Sequence, residues 1–260
     1  METHIVHYSG GICSFFAAKR VVDKMSPAHI ILLFADTKIE DEDTYRFLHE
    51  GAKYLGLVVT VIADGRTPWE VFKHERYIGN TRADPCSKIL KRELLDAWSA
   101  QFYPKAIHYF GLDWTEEHRL ERLRDRLLAD RGIPPERIQA PMTWKPLIDK
   151  PDMLFELVKL GIKPPRLYDF GFFHGNCGGF CVKSGQAQFR LLLLTMPERY
   201  KHHEEQEEEM RQFLGKDVSI LRDRRGGTTK TLTLKQFRER IESGGSHDKH
   251  DHGGCGCAID

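Results

Sequence analysis

Between residues 4 and 141, short apolar β-prone runs alternate with amphipathic helical stretches, and no other feature constrains the fold as much. The pattern predicts strands over 4–8, 29–35, 57–63, 106–110 and 137–141. Between them it predicts helices over 14–25, 43–55, 68–74, 86–101 and 116–131. Strands separated by helices return as parallel crossovers, so the expected class is α/β, an open and mostly parallel sheet of about five strands covered by helices on both faces. This domain is expected to occupy residues 1–145.

Beyond Trp144 the pattern turns helical, at 151–161, 182–195, 197–214 and 233–243. This predicts an all-helical C-terminal part over 146–243. Residues 244–260 are rich in Gly, His and Asp and end in Cys255-Gly256-Cys257. Such a tail is expected to be flexible unless something ties it down. A length of 260 residues allows one large domain with a small appendage, and 40% hydrophobic residues supply a core. The longest apolar runs, 30–35 and 191–194, fall far short of the roughly 18–20 residues of a membrane helix. No basic and apolar leader pattern opens the sequence, so a cytoplasmic location without membrane association is expected. With 39 basic and 38 acidic side chains the formal charge is +1, which excludes a chain-wide positive field. Six cysteines in a reducing compartment point to metal or redox chemistry.

The loop Ser9-Gly10-Gly11-Ile12-Cys13-Ser14 falls where the first strand gives way to a helix. Glycines permit close backbone approach to an anion, and the helix start offers unpaired N–H groups. It matches neither the Walker loop nor the dinucleotide fingerprint. An ordinary tight turn with Ser14 as helix cap is the competing reading.

Further segments follow in order. They are Phe34-Ala35-Asp36-Thr37 with Asp43-Thr44, then Arg82-x-x-Pro85-Cys86-x-Lys88-x-x-Lys91, then Gly111-Leu112-Asp113-x-x-Glu116-x-x-Arg119. Pro141-Met142-x-Trp144 and Leu167-Tyr168-Asp169-x-Gly171, running on to Cys177-x-x-x-Cys181, complete the set. Together they resemble the phosphoadenosine-phosphosulfate (PAPS) reductase-like family of the adenine nucleotide alpha-hydrolase, or ATP-pyrophosphatase (PP-loop), superfamily. The resemblance covers about residues 4–185. Three features depart from it: the usual acidic loop position is Cys13, the loop has Gly-Gly where the reductases have Gly-Lys, and the reductases' C-terminal Glu-Cys-Gly-x-His motif is replaced by Cys-Gly-Cys.

The resemblance implies a nucleotide site made of Ser9, Gly10, Gly11, Ile12, Cys13, Ser14, Asp36 and Arg82. Lys88 and Lys91 are read as phosphate contacts, because cations at a helix start oppose its dipole unless an anion is near. Asp113 and Arg119 would lie at the nucleotide or acceptor end, Arg119 as a clamp on an anion. Each has a plainer reading as a turn, a cap or a solvated helix face. Arg122, Arg124, Arg126 and Arg131 are interspersed with acids beside a leucine stripe, which reads as a solvated amphipathic helix.

Cys177, Cys181, Cys255 and Cys257 form two close pairs, the donor set of a [4Fe–4S] cluster or, alternatively, zinc. A mobile tail delivering Cys255 or Cys257 as a thiolate nucleophile is the competing reading. Cys86, among basic residues near a helix start, is read as a sulfur-relay or cluster participant, or else as a structural thiol.

These residues lead to an expected enzyme that binds ATP with Mg²⁺, cleaves the α–β phosphate bond and adenylylates an acceptor for sulfur transfer. The acceptor is left open among tRNA, DNA, a nucleobase and a small metabolite, with a sulfur donor as further partner. A PAPS or adenylyl-sulfate reductase using a thioredoxin-like reductant is the first alternative. A nucleotide- or cluster-binding regulatory module without turnover is the second.

Overall fold

A computed structural model describes residues 2–81 and 83–253. Arg82, Cys255 and Cys257 lie outside the described residues.

Five parallel strands form one sheet in the order β3-β2-β1-β4-β5. They are β1 (His4–His7), β2 (Ile30–Ala35), β3 (Val59–Ile62), β4 (Ile107–Phe110) and β5 (Ile138–Gln139). The register sets His4 opposite Ile30 on one side and Ile107 on the other, so β1 is central. Side chains alternate across the pleat. Val6, Leu32 and Phe34 enter a core with α1 (Ile12–Val22) and α2 (Glu42–Tyr54), whereas Ile5, Leu33 and Ala35 pack on the other face with Leu95 of α5 (Leu94–Phe102). A third cluster joins Phe110, Leu112 and Ile138 to the leucine stripe of α6 (Glu117–Arg131). The stripe read as one face of a solvated helix is therefore the face that covers β4 and β5.

Helix starts follow local chemistry. Asp41 caps α2 by accepting from the Asp43 N–H, and Thr67 with Glu70 closes a capping box on α3 (Pro68–Glu75). The stretch 85–102 runs as α4 (Pro85–Ser87), a π turn (Lys88–Glu93) and α5. The π turn inserts an extra residue per turn and so swings Lys91 out of the line of the regular helix.

The second half adds α7 (Lys150–Lys159), α8 (Arg166–Asp169), α9 (Gln186–Thr195), α10 (Pro197–Leu214) and α11 (Leu234–Glu242). Met153 and Leu157 of α7 join the sheet core, while α9, α10 and α11 build a separate cluster around Phe180, Tyr200 and Phe237 together with Trp69 and Phe72 of α3. This part, expected to be all-helical, also carries an antiparallel ribbon of β6 (Leu221–Asp223) and β7 (Lys230–Leu232). Three-residue strands beside the glycine pair at 226–227 are too short for their two-residue period to register in sequence.

The tail is tied down as far as Gly253. Asp251 caps α9, its carboxylate accepting from Gln186 N–H at 3.2 Å and its carbonyl from Ala187 N–H at 3.0 Å. A bridge then pairs Gly253 with Ser184.

Glu207 of α10 is buried and accepts backbone N–H groups of Ile220 and Leu234, which ties the ribbon and α11 to α10. Burial pushes its carboxyl from 4.5 up to about 7, against the pull of those hydrogen bonds. A raised folded pKa means that the native state holds the proton more tightly, so stability falls as pH rises from 4.5 to 7. Relative to Glu207→Gln, whose offset does not titrate, the wild type is expected to lose stability across that window with a slope approaching ~1.4 kcal/mol per pH unit. Urea unfolding of both proteins at several pH values checks this, and parallel curves would show a normally ionising carboxyl.

Candidate active site

The chain leaves β1 to build β2 and β3 on one side, then crosses back for β4 and β5 on the other. The reversal falls between β1 and β4, and in open α/β sheets ligands bind at that point, beyond the carboxyl ends of the strands. A cleft of about 130 Å³ lies there.

Its floor is made by the β1 loop and the segment after β4. Gly10 has φ +81°, and a Cβ there would lie 2.5 Å from Thr44 Cγ2. Gly111 is tighter, since a Cβ would fall 2.6 Å from the Ser14 backbone nitrogen. Only glycine lets the chain leaving β4 pass this close to the first turn of α1. Helix α1 begins at Ile12 with Gly11 as its cap, and the Ser14 hydroxyl donates back to the Gly11 carbonyl at 2.8 Å. Ser14 thus braces the loop from inside the helix instead of capping it.

Ser9, Gly11, Cys13 and Ser14 border the cleft, as do Lys91 and Arg119. Three segments far apart in sequence thus meet. Lys91 is buried, with its ammonium 3.3 Å from Glu40 Oε1. Arg119 is ion-paired with Glu116, which also borders the cleft. Cys13 is a neutral thiol near Met153 Sδ. Burial, with Asp113 and Glu116 adding to it and Lys150 opposing it, raises its pKa from 9.0 to about 12. Below the cleft, His7 Nε2 and His108 Nδ1 are 3.1 Å apart. Burial holds His7 well below the ordinary range and His108 at about 4, so the pair is neutral at pH 7.

Other expected residues stand apart. Lys88 is exposed, 3.6 Å from Glu93, whereas Lys91, three residues further along the same π turn, is buried. Asp36 follows the cleft-lining end of β2, but its carboxylate accepts from Lys38 and from the Tyr45 hydroxyl at 2.6 Å. Burial alone would raise its pKa, yet those bonds outweigh burial and hold it below the ordinary value. Asp113 caps the turn that leads into α6, accepting from Thr115 N–H at 2.9 Å, so its carboxylate is engaged locally.

Cys86 does not line this cleft. With Cys177 and Cys181 it borders a neighbouring cavity of about 20 Å³, and Lys91 lines both. Cys177 has φ +52°, a left-handed conformation rare outside glycine, followed by Gly178 at +58° and Gly179 at +85°. This strained turn brings Cys177 and Cys181 to one wall. Among the described residues, no group of three or more His, Cys, Asp or Glu side chains is arranged to hold a metal ion. The donors present are soft sulfurs, a chemistry that suits iron–sulfur or zinc. Also among the described residues, no helix is long and apolar enough to cross a membrane.

Sequence reasoning missed Lys150, His174 and Asn176 and quoted Tyr168 only as part of a motif; all four close the cleft from the second half of the chain. A faint signal existed for Lys150, a cation in the first turn of a helix capped by Asp149.

Compared with known proteins, the chain matches no family model and no curated protein sequence.

A thiol moved from 9.0 to about 12 holds roughly a thousandfold less thiolate at pH 8. Cys13 is therefore expected to resist iodoacetamide in the folded protein and to react on unfolding, as peptide mass analysis would read. Fast labelling in the native state would contradict its burial.

Proposed function

We propose that this chain is an ATP-using enzyme of the PP-loop type, similar to the PAPS reductase-like family, that adenylylates an acceptor for sulfur transfer. The observation that carries the reading is the meeting of the Ser9–Ser14 loop, Lys91 and Arg119 in one cleft at the switch between β1 and β4. Backbone amides at the start of α1 suit a pyrophosphate group. An acceptor oxygen attacks the α-phosphorus, the α–β bond breaks, and pyrophosphate leaves from the loop. Lys91 and Arg119 offset the charge that develops. ATP enters as its Mg²⁺ complex, so that metal belongs to the substrate. Cys13, neutral where the family has an acid, offers the ion no carboxylate.

The same reading gives Cys177 and Cys181, with Cys255 and Cys257, a [4Fe–4S] cluster, or zinc, as resident group. Sulfur donors and the wall shared through Lys91 support it. Such a cluster, when bound, would carry or activate the sulfur. Candidate acceptors are tRNA, DNA, a nucleobase or a small metabolite.

The test is pyrophosphate release from MgATP, with and without candidate acceptors, beside reduction of PAPS with a thiol donor. Release from ATP is expected, and sulfite from PAPS in its place would establish the reductase instead. Gly11 has φ −88°, which admits a side chain, so Gly11→Val blocks the loop without straining the backbone. This variant and Arg119→Gln are each expected to lower turnover about 10²-fold while melting normally. Unchanged rates would remove these residues from the site. For the resident group, anaerobically purified protein is expected to contain iron with acid-labile sulfide, or zinc, and to lose it in Cys177→Ser.

A further inference from the structure

A separate cavity of about 110 Å³ is walled by α5, α6 and the strands β1 and β4. His7 and Phe110 border it on one side and the cleft on the other. The fold leaves polar groups in this wall unused. His7 and Ser99 are both more than nine-tenths buried, and neither His7 Nδ1 nor Ser99 Oγ has a hydrogen-bond partner among the described residues. Leaving a buried polar atom unpaired is costly, so native folds reserve such atoms for water or a ligand. Each neutral imidazole carries one N–H. The contact between His7 Nε2 and His108 Nδ1 uses one of the two, so the other stands on an outer nitrogen of the pair.

Charge supplies an independent observation. Arg131 spends one N–H on the Asp96 carbonyl at 2.9 Å, and its Nη1 stays 3.9 Å from the Asp96 carboxylate, so the guanidinium fork keeps donors for a further acceptor. Asp96, the one carboxylate in the wall among the described residues, accepts from Arg126 at 3.2 Å. After burial, Arg131 and Arg137 push His108 down to about 4, and His108 and Arg126 act on His7 in the same direction, so the field over the two rings is positive. Ala100, Leu127 and Ile133 make another part of the wall apolar.

We propose that this cavity binds a small organic carboxylate, its head taken by Ser99 Oγ, the outer N–H of the histidine pair and Arg131, and its short apolar body set against Ala100, Leu127 and Ile133. A cavity of ~150 Å³ accepts benzene, so a chain of roughly three to five carbons matches this one. The anion completes the bonding of buried donors and offsets the positive field. The site does not depend on the nucleotide reading above and stands whether or not the cleft turns over ATP.

Calorimetric titration of the full chain with sodium butyrate, and with sulfate and n-butanol as the charge and the apolar body alone, tests the site, while NMR follows the His7 and His108 rings. Butyrate is expected to bind one to one and to shift both rings, with sulfate and butanol at least about tenfold weaker. Ser99→Ala is expected to lower butyrate affinity about tenfold, yet to melt as the wild type does, because the hydroxyl bonds nothing in the fold. Arg131→Met is expected to weaken butyrate similarly. Absence of butyrate binding with unmoved rings would overturn the proposal and leave a cavity that holds water only. Butyrate affinity indifferent to Ser99→Ala, or equal affinity for sulfate or butanol, would overturn it too.

Discussion

The chain leaving β4 touches the first turn of α1 at Gly111, backbone against backbone, and the cleft exists because of that contact. A side chain at Gly111 would push the β4 exit away from Ser14 and open the floor between the two strands. Because β1 and β4 are neighbours, this one approach sets the loop, the Arg119 segment and the end of β2 around a common space. The neutral His7–His108 pair lies beneath, with His7 stacked on Phe110 at 4.1 Å, so the floor is stiff and carries no charge of its own.

The cleft is nearly balanced electrically before any ligand arrives. Lys91 faces Glu40, Arg119 faces Glu116, and Lys150 faces Asp113. Removing one partner of the buried Lys91–Glu40 pair would strand a charge in a poorly solvated place, which costs several kcal/mol on the order of 3–5. Balanced pairs of this kind keep cations oriented without collapsing the cavity. Under the proposed function, an entering anion would meet oriented ammonium and guanidinium groups together with the backbone amides of α1.

Further cavities adjoin the cleft. Lys91 borders the thiol cavity of Cys86, Cys177 and Cys181, whereas Lys150, His174 and Asn176 border a third space reached by His252 and Gly253 of the docked tail. The Asp251 cap on α9 is what brings the tail there. The strained Cys177 turn and the tail anchor thus converge beside the cleft, from opposite ends of the second half.

Local patterning determined the order and type of nearly every helix and sheet strand, because two-residue and 3.6-residue hydrophobic periods are written along the chain. It also named the loop, Lys91 and Arg119, which the fold brings to the border of one cleft. Tertiary structure decided what short-range pattern cannot carry. Whether Lys88 or Lys91 turns inward depends on a π turn, and whether Asp36 or Asp113 is available depends on Lys38, Tyr45 and Thr115 claiming their carboxylates. Tyr168 meets Ile12 across 156 positions of sequence, a contact set by packing of α8 against α2 through Arg166 and Asp41. Sequence names the groups able to do chemistry, and the long-range packing of backbone on backbone selects which of them face the same space.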